Sequence, residues 1–305
     1  TARWQPGNRT GILDQAPTDS AQHGSHPLTT TITVIPGDGI GPEVTEAVLR
    51  ILDGAGTDLE YDRQIAGVAG LEQAASPLPE ETLASIRRNR ILLKGPLTTP
   101  VGTGFRSINV AIRKEFDLFA NVRPARTILD GGRDEDVDLV LIRENTEGLY
   151  VGVEHYIGMG DDPKAAAESV MIITRFGTER ICRYAFEYAR RHGRRKITLA
   201  HKANILKCTQ GLFLEVGREV AGEYPDIEFE DRIIDATAMA LVMDPYQFDV
   251  LVMENMFGDI LSDLGAGIIG SLGLAPSPRF AGVTETAPRL LGANTPWKSA
   301  KLPLG

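Results

Sequence analysis

The stretch TVIPGDGIGPE, Thr33 to Glu43, sets an apolar strand against a turn in which Gly37, Gly39 and Gly41 occupy every second position. A dinucleotide-binding fingerprint needs G-x-G-x-x-G running from a strand into a helix, with an acidic residue about twenty positions on. Pro42 stands where the third glycine would be. An amphipathic helix from Glu43 to Leu52 follows the strand Ile32 to Ile35, so backbone N–H groups at a helix start could still meet an anion. The glycines point to a strained turn; a ligand does not follow from them.

Outward from this turn the chain alternates short apolar runs with helical periodicity. Helix Glu80 to Arg88, strand Ile91 to Lys94 and helix Asn109 to Glu115 come first. Strand Val137 to Ile142, helix Thr178 to His192, strand Lys196 to His201, helix Ile205 to Glu223, strand Phe248 to Met253 and helix Asp259 to Gly265 follow. Such alternation predicts an α/β fold. No internal repeat interrupts it.

With 305 residues and 42% hydrophobic content, the chain can bury a substantial core. A net charge of −9 argues against a nucleic-acid or anionic-membrane partner, so an anionic ligand must be met by a local basic cluster. No apolar run approaches the eighteen or so residues that span a bilayer. Cys182 and Cys208, the two cysteines, lie in no C-x-x-C pair; both are expected to be structural, in a reducing, cytoplasmic compartment. Residues 1–30 carry neither a signal-peptide nor a transit pattern and read as a disordered leader.

Four constellations carry chemistry. TGFRSINVAIRKEFDLFANVRP places Ser107, Asn109 and Arg113 near a helix start and Arg123 before Pro124; guanidinium forks suit carboxylates, although any one of these arginines could be a solvated helix residue. In LIRENTEGLY, Arg143 ends an apolar strand and Tyr150 lies seven residues on. Strand ends are where open α/β sheets hold ligands; an ion pair with Glu144 or Glu147 is the plainer alternative. KITLAHKANILK brings His201, read as a packing residue, and Lys202, a candidate for proton transfer, to another strand end, with Lys207 on the surface. Asp235 in IIDAT joins Asp259 and Asp263, whose i, i+4 spacing puts two carboxylates on one helix face. Their repulsion is relieved by a hard cation such as Mg²⁺ or Mn²⁺, while a helix N-terminal position alone would also favour Asp259.

Together IPGDGIGPE, GPLTTPVG, the R-K and N-V-R-P pair, RENTEGLY, HKANI and GDILSDLGAG resemble, in order, the motifs of the isocitrate and 3-isopropylmalate dehydrogenase family of β-decarboxylating dehydrogenases, from Thr31 to about Ser277. The resemblance implies a two-domain α/β fold with a non-Rossmann cofactor site, to which Thr98 would contribute. It implies substrate carboxylates on Arg113, Arg123 and Arg143, with Tyr150 and Lys202 moving protons. A divalent ion would sit on Asp259 and Asp263, completed by Asp235 of a second copy in a homodimer with shared sites. Family members acting on isopropylmalate usually carry two leucines before the first arginine. Ser107, Ile108 and Asn109 stand here instead, which favours isocitrate, oxidised with NAD or NADP and decarboxylated to 2-oxoglutarate. Isopropylmalate, homoisocitrate and a non-catalytic subunit remain the alternatives.

The expected organisation is a large-domain portion at 31–118, a small domain at 119–270 carrying substrate, metal and dimer elements, and an atypical large-domain remnant at 271–305. The family's histidine-containing adenosine loop has no counterpart after Ser277, so the large domain is expected to be incomplete, as a truncated or frameshifted product would be.

Overall fold

The computed structural model describes residues 29–98, 107–129, 134–281 and 289–292, the last four as backbone alone. Residues 1–28 of the expected leader, and most of the segment after Ser277, lie outside the described residues, while Thr30, the last residue of that leader, already belongs to the first strand.

In chain order the elements are β1 (Thr30–Ile35), α1 (Gly41–Gly54), β2 (Leu59–Arg63), α2 (Val68–Ala74), α3 (Glu80–Asn89), β3 (Ile91–Lys94), α4 (Ile108–Glu115), β4 (Ala120–Arg126) and β5 (Asp138–Glu144). A short turn of 3₁₀ helix at Leu149–Val151 leads to the hairpin β6 (Glu154–Met159) and β7 (Asp162–Ser169). Then come α5 (Arg175–His192), β8 (Lys196–His201), α6 (Thr209–Ala221), β9 (Glu228–Ile233), α7 (Ile234–Met243), β10 (Val250–Met253), α8 (Asn255–Ile268), β11 (Arg279–Phe280) and β12 (Arg289–Gly292).

Ten strands form one sheet in the order β2-β1-β3-β12-β11-β4-β5-β10-β8-β9. Its two flanks are parallel, as helical crossovers require, and antiparallel β11 and β4 join them. The α/β expectation holds. From the segment 271–305, β11 joins the two flanks beside β4 and β12 extends the first flank beside β3.

Strand β5 fixes the geometry of everything that follows. Side chains alternate across a strand, and its run is buried on both faces: Val140 and Ile142 pack beneath α5 and α6 with Ile181, Phe186 and Phe213. Leu139 and Leu141 pack against α8 with Phe257 and Leu261. Arg143 continues the second series and so points at α8. On β4, Ala125 belongs to the same face, which puts Asn121 and Arg123 there too.

Three helices depart from their expected starts: the one expected from Thr178 begins at Arg175, where the Thr174 hydroxyl caps it by accepting from Gly177 N (2.9 Å). The helix expected from Ile205 begins at Thr209, because Lys202 to Cys208 is a string of turns with Ile205 and Leu206 folded back onto the Lys202 carbonyl. The helix expected from Asp259 begins at Asn255, because the Glu254 carboxylate accepts from Phe257 N (2.9 Å) and Met256 N (3.1 Å) and caps it. Asp259 therefore sits in the second turn, beyond most of the N-terminal dipole's reach. Cys182 is buried in the core, with its thiol pushed up to about 12 by burial. Cys208 is exposed, so the expectation that both cysteines pack holds only for the first.

Candidate active site

The N-terminal glycine turn is tied up in packing. Gly37 has φ +90°, and a Cβ there would lie 2.2 Å from the Pro96 carbonyl oxygen; one on Gly95 would lie 1.8 Å from that of Pro36. The glycines let two loops touch backbone to backbone. Asp38 N donates to Pro96 O (2.7 Å) and Gly41 N to Asp38 O (2.8 Å), so these N–H groups are spent inside the turn. The Asp38 carboxylate, a residue the sequence reading passed over, accepts from Val68 N (3.0 Å) and Thr98 N (2.8 Å). Thr98 is thereby anchored with its side chain exposed; residues 99–106, which follow it, are outside the described residues.

Arg143 and α8 make the centre of the site. Arg143 is 1% exposed and donates from Nε (3.0 Å) and Nη2 (2.7 Å) to Asn255 Oδ1, and from Nη1 to Asp259. A Cβ on Gly258 would lie 2.4 Å from Arg143 Cγ, so that glycine lets the helix lie directly on the arginine's stem. Tyr150 donates its hydroxyl to the second oxygen of Asp259, and the Arg143 guanidinium stands 5.2 Å from its ring centroid. The alternative of an Arg143 pair with Glu144 or Glu147 is not realised: Glu144 points to the opposite face and accepts from Thr146 and Glu147 N–H groups.

Burial works against the Asp259 charge, but the Arg143 guanidinium and the bonds from Tyr150 and Arg143 outweigh it and hold the carboxyl below its ordinary range. The Tyr150 phenol moves up, through burial and then through Asp259, and stays protonated at neutral pH. Arg113, on α4 and 9% exposed, is pushed down to about 10 by burial and then by Arg143. Arg123 lies 3.4 Å from Asp263. The Nε atoms of Arg113 and Arg123 are buried without a hydrogen-bond partner. Ser107 and Asn109 are half-buried at the start of α4, with Ser107 at its N-cap.

Lys202 and Asp235 form a separate pair (2.6 Å) where β8 ends and α7 begins. Among the described residues neither is hydrogen-bonded to Arg143, Asp259 or Asp263, and no three His, Cys, Asp or Glu converge as a metal site. His201 is the packing residue expected: its Nδ1 accepts from Ala203 N (3.0 Å) and its Nε2 is 3.4 Å from Asp231. Lys207 is exposed.

Mg²⁺ is ordinarily held through one or two carboxylates, with waters and substrate oxygens filling the shell. Asp259 and Asp263, one turn apart, fit that donor set. Sequence reasoning missed two further cations. Lys94 is buried, donates to Gly95 O (2.7 Å) and is pushed down to about 7 by burial and then by Arg279 and Arg113; a lysine closing the apolar run Ile91–Leu93 was the available signal. Arg279 lies where periodicity has lapsed.

Residues 31–288 match the family described as isocitrate/isopropylmalate dehydrogenase. The chain is 49% identical over 249 residues to catalytic subunit 5 of a mitochondrial NAD isocitrate dehydrogenase from Arabidopsis thaliana, covering 81% of this chain and 65% of that relative's length. It is also 49% identical over 247 residues to a chloroplastic 3-isopropylmalate dehydrogenase from Solanum tuberosum, with 80% and 68% covered. The crystal structure of isocitrate dehydrogenase from Methylococcus capsulatus superposes with TM-score 0.82 at 56% identity, covering 87% of this chain and 77% of that one. The relatives' names include both catalytic and regulatory subunits. They also overturn the cytoplasmic expectation, since several are mitochondrial; unpaired cysteines report a reducing milieu and carry no address. The chain belongs to the isocitrate/isopropylmalate dehydrogenase family.

Proposed function

We propose that the protein oxidises isocitrate at C2, with NAD or NADP as hydride acceptor, and decarboxylates it to 2-oxoglutarate. The observation that carries this reading is the set of arginines Arg113, Arg123 and Arg143 gathered on one side of α8, two of them with buried unpartnered Nε donors. Such a set is costly for an apo protein and becomes favourable when several carboxylates arrive together. The half-buried polar pair Ser107 and Asn109 favours a third carboxylate over the isopropyl group of a branched malate.

Arg113, Arg123 and Arg143 bind and orient the carboxylates, and Arg143, immobilised by Asn255 and Gly258, sets the position of the others. Tyr150, kept protonated by burial and Asp259, is placed to deliver the proton to C3 after CO₂ leaves. Lys202 of a second copy takes part in removing the C2 hydroxyl proton, and that copy's Asp235 joins Asp259 and Asp263. A divalent ion held by these carboxylates would supply Lewis-acid polarisation of the C2 oxygen, and NAD or NADP, held in part by Thr98, would supply the hydride acceptor.

A second copy is supported by what the fold leaves uncovered. Hairpin β6–β7 is exposed along its whole length, and Met239 (61%), Met243 (74%) and Ile260 (59%) on α7 and α8 present apolar surface. Asp235, paired with Lys202, shares one face of α7 with Met239 and Met243 by its i, i+4, i+8 spacing. A homodimer with shared sites accounts for both features.

The test is cofactor reduction by the purified protein with isocitrate and Mg²⁺, with NAD and NADP in turn and 3-isopropylmalate as the competing substrate. Isocitrate-dependent reduction is expected. Reduction with 3-isopropylmalate alone would replace the substrate assignment, and reduction with neither would favour a non-catalytic subunit.

A further inference from the structure

Beyond the three expected arginines, the sheet carries a second row of donors. Arg279 on β11 stands opposite Asn121 on β4, which stands opposite Arg143 on β5. Directly opposed residues of antiparallel strands share a face with their Cβ atoms about 5 Å apart, so the three side chains lie abreast beneath α8. Asn121 is fully buried; its Oδ1 accepts from Ser277 Oγ (3.2 Å), while its Nδ2 has no partner. Arg279 Nε is likewise buried and unpartnered. Among the described residues no carboxylate is paired with Arg279, and the charges bearing on it are chiefly Arg113, Arg123 and Arg143. Four guanidiniums thus face two carboxylates, Asp259 and Asp263, in a chain of net charge −9. Such an excess persists when a polyanion completes it.

We propose that Arg279 and Asn121 form an additional carboxylate-holding subsite, flush with Arg143, that binds one carboxylate of the tricarboxylate substrate. This rests on the isocitrate reading above. It makes β11, which follows the last of the quoted motifs, part of substrate recognition, and selects for substrates of higher negative charge.

The experiment is isothermal titration of the intact protein with isocitrate in the presence of Mg²⁺, comparing the wild type with Arg279→Gln, Arg279→Lys and Asn121→Leu. Arg279→Gln should weaken isocitrate binding about tenfold, the loss typical of a charge-assisted hydrogen bond, and leave NAD binding unchanged. The lysine variant should recover part of the loss through its charge, and Asn121→Leu should weaken binding less than Arg279→Gln. Without ligand, Arg279→Gln should melt at a higher temperature than the wild type because an unpaired charge is gone. This also guards against misfolding as the cause. Wild-type affinity in a folded Arg279→Gln protein would overturn the subsite while the isocitrate reading stood. Failure of the wild type to bind isocitrate would overturn both.

Discussion

Arg143–Asp259 and Lys202–Asp235 are both cation–carboxylate pairs at the ends of parallel strands, yet the first pair's cation and carboxylate are 1% and 40% exposed and the second's 26% and 67%. Around Arg143 the chain supplies Asn255 as acceptor, Gly258 as a seat and Tyr150 as a third partner. Around Lys202 it supplies a loop of turns and the first turn of an exposed helix. One half of the proposed catalytic set is built by packing within the chain, while the other is held out by it. A buried half is rigid and sensitive to volume; a displayed half is replaceable without cost to the fold, and under the proposal acts against a second copy's surface.

The comparison breaks most visibly at Tyr150. Tyr150→Phe keeps the ring against Arg143 and removes the proton, so kcat should fall by about 10²–10⁴ with little change in isocitrate affinity; stopped-flow and steady-state kinetics check it. Arg143→Ala leaves Asp259 and Asn255 without their partner in the core and should cost about 3 kcal/mol in urea unfolding. Gly258→Ala drives a methyl group into Arg143 and should cost about 2 kcal/mol, as overpacking does, together with isocitrate affinity. Lys202→Met, by contrast, should leave the melting temperature unchanged while removing activity, because its pair is exposed. The smallest effect concerns acid. Asp259 is held below the ordinary carboxylate value, so its stabilising contribution is complete above about pH 4 and fades as pH falls through the lowered value. Asp259→Asn should flatten that acid limb modestly, since the side chain is 40% exposed and partly screened.

Much of the Arg143 half was legible in the sequence. The run Leu139–Ile142 alternates between two cores, a charge closes it, and the i, i+4 aspartates mark the facing helix. Strand β4 was harder, because Pro124 and two arginines interrupt it. The structure tolerates that proline because β11 pairs only with Ala120 and Asn121, leaving Pro124 bonded on the β5 side alone among the described residues. Hairpin β6–β7 and helix α7 show no usable period: the one is exposed on both faces, and the other is apolar nearly all round. Asp38 was illegible for a different reason. Its partners lie 30 and 60 residues away, and only the packing of glycine against glycine brings them together. Arg279 belongs to a two-residue strand, too short for any periodicity.

In the proposed homodimer, one functional site is made from the Tyr150 side of one chain and the Lys202 side of another. The direct measurement mixes two inactive proteins, Tyr150→Phe and Lys202→Met, under conditions that let subunits exchange, and follows isocitrate-dependent cofactor reduction. Half the dimers then pair unlike chains, and each carries one intact site, so about a quarter of wild-type activity should return. No recovery from a mixture shown to contain hybrid dimers would contradict the account, because both halves would then have to act within a single chain.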